Sequence, residues 1–251
     1  MRFKNTVSGL LACVLAAATV FSGNAATAEA AGEEGHKLAV DYDFSKSENG
    51  KIADKSGHHN DAVIQNESDN VSFDAETGVM ELKNETAYVE LPMSIMDDLT
   101  DKEKFTIETR YSRSATTGIH SWLFCFGSNP QGSGANYMFY CPKFENGSVR
   151  AGIKNNATEK LFNTSRTLTD EQFYTVDLVF DGGTVKLYID GVPIQDKDGN
   201  PSLASGYSIV DDVIANGCKN DVLGYIGKSV WSGDTNFNGK LSSFKIFDGV
   251  L

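Results

Sequence analysis

Cysteine is scarce, histidine follows no metal-binding pattern and basic residues are outnumbered; each shortage removes a class of function. Of four cysteines, Cys13 falls in the N-terminal apolar segment, which leaves Cys125, Cys141 and Cys218. An odd remainder does not make a disulfide framework. If the strands around 126 and 137 form a simple hairpin, Cys125 sits opposite Met138 and points away from Cys141, which favours buried free thiols over a Cys125 to Cys141 bridge. His36, His58, His59 and His120 show no HExxH or other zinc spacing, and His58 and His59 read as loop residues. No glycine-rich phosphate loop follows a strand, and GxSxG is absent. Lysine and arginine total 22 against 34 aspartates and glutamates, a net charge of −12. Such a surface repels phosphate backbones and anionic lipid, so no nucleic-acid or membrane partner is expected, while neutral sugars and cations stay open.

Long apolar runs are also missing, with one exception at residues 7–21. That run follows Arg2 and Lys4 and precedes the small residues Ala26, Thr27 and Ala28, the pattern of a secretory signal cleaved after Ala28, with Ala30 as the alternative site. It is shorter than the ~20 apolar residues a spanning helix needs. A lipid anchor at Cys13 is disfavoured because Val14 and Leu15 continue the run past it. Removing residues 1–28 from 251 leaves 223, enough for one core, and the protein is expected to be secreted. Residues 29–36 read as a short linker and 37–251 as one domain.

What is present is strand after strand. Leu38, Val40, Tyr42 and Phe44 alternate with Lys37, Ala39, Asp41 and Asp43. FTIETRYSR at 105–113 sets Phe105, Ile107, Thr109 and Tyr111 against Thr106, Glu108 and Arg110. WLFCFG and NYMFYCPKF are nearly continuous apolar runs, as for central strands covered on both faces or lining a groove on one. TVKLYIDGVPI predicts a hairpin turning at Asp190 and Gly191. In the last strand Leu241, Ser243, Lys245 and Phe247 are expected on one side, and Ser242, Phe244, Ile246 and Asp248 on the other. Helical signals are limited to single turns near residue 100 and at 169–172. Many short strands without βαβ spacing predict an all-β, antiparallel two-sheet sandwich.

Taken in order, DYDFS with DKSGHHNDAVIQN, YVELP, FTIETRYSR, WLFCFG with NYMFYCP, TVKLYIDG, YIGKS and FNGKLSSFKIFD resemble the laminin G-like (concanavalin A-like lectin/glucanase) jelly rolls attached to secreted bacterial glycoside hydrolases, notably those acting on arabinose-containing polysaccharides. The chain departs from them at Arg110, where tryptophan is frequent, and in YTVDLVF, which lacks a tryptophan and histidine pair. It also stops at Leu251 without the usual short acidic tail, leaving open a stand-alone module or the front of a hydrolase. The resemblance implies a structural calcium ion tying the first and last strands, with Asp43, Asn60 and Asp248 as candidate ligands. DKDGN at 196–200 has the look of a separate twelve-residue calcium loop, but its glycine comes fourth and Tyr207 stands where a bidentate Glu is needed, so it reads as a turn between strands.

The same sandwich hosts glucanases, which carry a pattern like ExDxxE on one strand face with carboxyl groups ~5 Å apart. No such triplet occurs, and Glu108 beside Arg110 reads as a solvated ion pair. The sialidase-type Asp box is absent as well. Sugar binding needs a flat aromatic face with amides and carboxylates in reach. Trp231, in the polar loop SVWSGDTNFNG, is the leading candidate, with Asp234 and Asn236 beside it and Tyr207 in LASGYS second; Trp122 reads as core. The expected function is therefore a monomeric, non-catalytic carbohydrate-binding module for a polysaccharide or glycan, either alone or tethered to a hydrolase. A structural or protein-adhesion module is the alternative, and a glycosidase a third.

Overall fold

The computed structural model describes residues 36–129, 135–156 and 158–251. The expected signal at 1–28, with Cys13, and residues 29–35 of the expected linker lie outside the described residues. In chain order the strands are β1 (Lys37–Asp41), β2 (Lys51–Ile52), β3 (Ala62–Gln65), β4 (Val71–Asp74), β5 (Val79–Leu82), β6 (Tyr88–Pro92), β7 (Lys104–Arg113), β8 (Phe124–Phe126), β9 (Tyr137–Cys141), β10 (Ser148–Asn155), β11 (Thr158–Thr167), β12 (Phe173–Asp181), β13 (Thr184–Ile189), β14 (Val192–Pro193), β15 (Leu203–Ala204), β16 (Val222–Ile226) and β17 (Gly239–Asp248). They form the expected antiparallel sandwich. The first sheet runs β14-β13-β12-β7-β17-β5-β4, with β1 added on β17 and β15 on β13; the second runs β11-β10-β9-β8-β16-β6-β3-β2.

Period-two patterning explains the sandwich because each strand gives alternate residues to the space between the sheets. Phe105 and Phe180 from the first sheet stack at 5.8 Å, and Phe105 meets Phe126 of the second at 5.4 Å. Phe124 meets Phe244 edge-on at 5.8 Å. The β13–β14 hairpin turns at Asp190 and Gly191, whose φ values of 51° and 71° are those a two-residue turn between twisted strands demands.

Four local expectations change. A bulge between Leu38 and Val40 breaks the alternation of β1, so Ala39 and Val40 are both buried while Leu38 is half-exposed. A second bulge between Leu241 and Ser243 brings Leu241 into the core with Phe244 and Ile246. Cys125 pairs with Phe139, not Met138, so Cys125 and Cys141 share the outer face of the second sheet. Packing sets that register: Phe124, Phe126, Met138 and Tyr140 all enter the inter-sheet core, and a one-residue slip would expel them. Both thiols are free and fully buried, and burial pushes Cys141 up to about 12. Cys218 is also free.

The fourth change is a helical segment, Ile209–Ile214 continuing through Ala215–Gly217. Its Ser208 cap accepts from the Asp211 amide at 3.0 Å, and Glu103 accepts from the Ile209 and Val210 amides at 2.8 and 3.0 Å. The serine followed by Asp211 and Asp212 was the available signal.

Candidate ligand-binding face

The outer face of the second sheet has its own apolar cluster. Register places Leu161, Gly152, Phe139, Cys125, Tyr225, Glu90 and Val63 in one row across seven strands. Gly152 lacks a side chain where a Cβ would come within 2.8 Å of the Phe139 ring, which leaves that ring room over β10. Trp122 stacks on Phe139 at 4.2 Å and 12° and is 3% exposed. It is buried as expected, but on this outer cluster and not between the sheets.

A loop from Gly227 to Asn238 crosses the cluster. Gly227 donates to Leu123 O at 2.7 Å, Phe237 donates back to Gly227 O at 2.8 Å, and Val230 is buried beneath. Trp231 is thereby held half-exposed, its ring 6.2 Å from Tyr137 at 70° and its face 4.9 Å from the Lys154 ammonium. Lys154 also lies 5.8 Å from the Tyr137 ring. The Tyr137 hydroxyl donates to Glu159 Oε1 at 2.6 Å. Burial, then that carboxylate, pushes the phenol well above its usual range, with the Trp231 side chain opposing. Asp234 donates its amide to Trp231 O at 3.2 Å; burial raises its carboxyl, against a hydrogen bond from Ser229 and the charge of His120.

The expected residues separate. Trp231 and Asp234 share this face. Asn236 spends its amide on Thr86 O at 3.0 Å, which fastens the loop to the turn before β6. Tyr207 packs against the inter-sheet core and donates its hydroxyl to Thr158 O at 3.0 Å, so it belongs to another cluster. Tyr137, Lys154 and Glu159 were missed. Alternation in SVRAGIK puts Arg150 and Lys154 on one side, but it cannot show that Trp231 arrives beside Lys154.

Asp43, Asn60 and Asp248 do not gather about one point. Asp248 stands opposite Lys37 and Tyr42 bonds to Phe244 O, so Asp43 lies roughly 15–20 Å farther along the ladder than Asp248. Asp248 accepts from the amide and hydroxyl of Thr100 at 2.8 and 2.6 Å, and Asp43 is paired with Lys55 at 2.8 Å, which helps hold its carboxyl at about 2. Asn60 is buried, bonded to Ala39 O, Asp98 and Ser94. These three do not fit a shared calcium ion, and among the described residues no group of three or more histidine, cysteine or acidic side chains could hold a metal. On the first sheet, Glu108 stands opposite Asp177 and Lys245, and Arg110 lies 5.4 Å from the Phe173 ring.

The fold and this face define the class as an antiparallel two-sheet β-sandwich with an aromatic cluster on one outer face. A family model described as the concanavalin A-like lectin/glucanases superfamily matches residues 83–251, and the chain belongs to that superfamily. No curated protein matches it by sequence. Among solved structures it is similar to domain 4 of AbnA, a GH43 extracellular arabinanase from Geobacillus stearothermophilus, in complex with arabinotriose. The TM-score is 0.64 at 18% identity, covering 86% of this chain and 94% of that one. It is also similar to Trypanosoma rangeli sialidase (TM-score 0.56, 15% identity, 86% of this chain) and to the botulinum neurotoxin serotype D binding domain (0.54, 18%, 86%). It spans 31% of the sialidase chain and 48% of the neurotoxin domain.

Proposed function

We propose that this chain is a secreted, non-catalytic carbohydrate-binding module whose contact surface is the outer face of the second sheet around Trp231. One observation carries the reading: a half-exposed indole stands with an ammonium over its ring, a phenol against its edge and the carboxylate of Glu159 beyond. An aromatic plane takes the apolar side of a sugar, and charged groups around it take hydroxyls. The arabinotriose held by domain 4 of the arabinanase supports the choice of ligand class, and the N-terminal apolar segment supports secretion. Tethering to a hydrolase would raise local substrate concentration.

Trp231→Ala is expected to weaken retention on immobilised arabinan or another plant or host glycan at least tenfold, worth ~1.4 kcal/mol, with an unchanged melting curve. Lys154→Ala should weaken it less. Equal retention of wild type and Trp231→Ala would remove this site, and no retention on any glycan would favour a protein-adhesion module. A reducing-sugar assay on the same preparation is expected to stay at background. Calcium remains a separate proposal, with no site shared by Asp43, Asn60 and Asp248. If an ion stabilises the fold, Tm falls with chelator and recovers when calcium is restored; an unchanged Tm removes it.

A further inference from the structure

The grouping at Trp231 occurs twice on the same face. On one side of the crossing loop, Trp231 and Tyr137 meet edge to face at 6.2 Å and 70°, with the Lys154 ammonium 4.9 and 5.8 Å from the two rings and Glu159 opposite Lys154 on β11. On the other side, Tyr88 and Tyr225 meet edge to face at 5.5 Å and 89°, with the Lys228 ammonium 3.8 and 4.8 Å from their rings. Glu90 stands opposite Tyr225 there and accepts from Gln65 Nε2 at 2.9 Å. Both groupings are two rings, one lysine and one glutamate.

The loop supplies one member to each. Lys228 and Trp231 flank Ser229 and Val230, which are 4% and 1% exposed, so the loop is pinned at Ser229 and Val230 while the residues on either side of them are each free to join one grouping. The other members stand on strands. Tyr137 and Tyr225 are two strands apart across β9, β8 and β16, and Lys154 and Tyr88 are four apart from β10 to β6. At ~4.8 Å per strand, and allowing for their offset along the strands, the two centres lie roughly 15–20 Å from each other. Tyr88 and Lys228 are half-exposed, like Trp231.

One such grouping can address one sugar unit. A repeat of it at a fixed spacing suits a ligand that itself repeats. We propose that the face binds two separated units of one linear glycan, the first at Trp231 and the second at Tyr88, so that the ligand is a chain and not a terminal sugar. This rests on the carbohydrate-binding reading above and extends it. The second contact is then intramolecular, and affinity rises with chain length until a ligand spans both groupings.

The test is calorimetric titration of the wild type with arabino-oligosaccharides from monosaccharide to hexasaccharide, and with matching xylo- and gluco-oligosaccharide series. Affinity is expected to rise at least tenfold between disaccharide and hexasaccharide in the series that binds. Tyr88→Ala should bring hexasaccharide affinity down to the level of a disaccharide held at Trp231 alone. Because Tyr88 is half-buried, Lys228→Gln serves as a surface variant and should show the same length-selective loss. Affinity that levels off at the disaccharide overturns the two-unit ligand, as does hexasaccharide binding unchanged in folded variants; the single site at Trp231 survives either result. If no series binds the wild type, the carbohydrate reading itself fails and this inference with it.

Discussion

Arg113→Met is expected to lower the melting temperature by ~10 °C or more. Arg113 is 5% exposed, and each guanidinium nitrogen has its own acceptor: Nε to Asp170 Oδ1 at 2.5 Å, Nη1 to Pro142 O at 2.5 Å, and Nη2 to Leu168 O. One residue at the end of β7 thus ties the first sheet to the segment after β9 of the second and to the turn before β12. Methionine fills much of the volume but leaves two carbonyls and a carboxylate without their donor. Breaking a buried charged network from one side costs about 3–5 kcal/mol, and in a domain of this size each kcal/mol moves Tm by about 2–4 °C. Arg113→Lys should recover little, because an ammonium on a flexible stem lacks the fixed fork that reaches three acceptors. Thermal unfolding by circular dichroism decides the matter: a Tm within about 2 °C of wild type would mean the three acceptors find other partners.

The second large effect depends on pH. Asp177 lies on the outer face of the first sheet, opposite Glu108 on β7 and Tyr188 on β13, and one of its carboxylate oxygens is buried without a partner. Burial, then the negative charges of Glu108 and Asp190, push its carboxyl up from 3.8 to about 7. Lys245, opposite Glu108, is the facing cation on β17. Because the folded state holds this proton more tightly than the unfolded chain does, its contribution to stability is fully present below pH ~4 and is lost as pH rises to ~7. The whole change is on the order of 4 kcal/mol. Asp177→Asn cannot ionise, so its Tm should exceed that of wild type at pH ~8, with the advantage gone by pH ~4. Parallel profiles of Tm against pH for the two proteins would show that Asp177 is already ionised at low pH in the fold.

Much of this architecture is legible in the residues. Alternation in FTIETRYSR correctly separates Phe105, Ile107 and Tyr111 from Glu108 and Arg110. Asp190 and Gly191 mark their hairpin because few residue pairs accept two positive φ values in succession. Where a bulge intervenes, the pattern misleads. At β1 and β17 one extra residue reverses the phase, so Ala39 joins Val40 in the core and Leu241 joins Phe244, against the strict period of two. The pairing of Cys125 with Phe139 was equally hidden, since the loop between β8 and β9 does not fix register and the fit of four core side chains does.

For the site, the sequence by itself determined that Trp231 stands in a polar loop with Asp234 close by, and that the strands of WLFCFG and NYMFYCPKF carry apolar residues on both faces. Tertiary structure decided what that tryptophan meets. Lys154, Glu159 and Tyr137 come from three other strands, and Tyr88 and Tyr225 from two more, all brought under one loop by ladder order and by the burial of Val230. It also parted Asp43 from Asp248 along the β1–β17 ladder. The physical reason is the same in each case: a period of two tells which side of a strand a residue takes, while which strands become neighbours, and in what register, is settled only when the whole core packs.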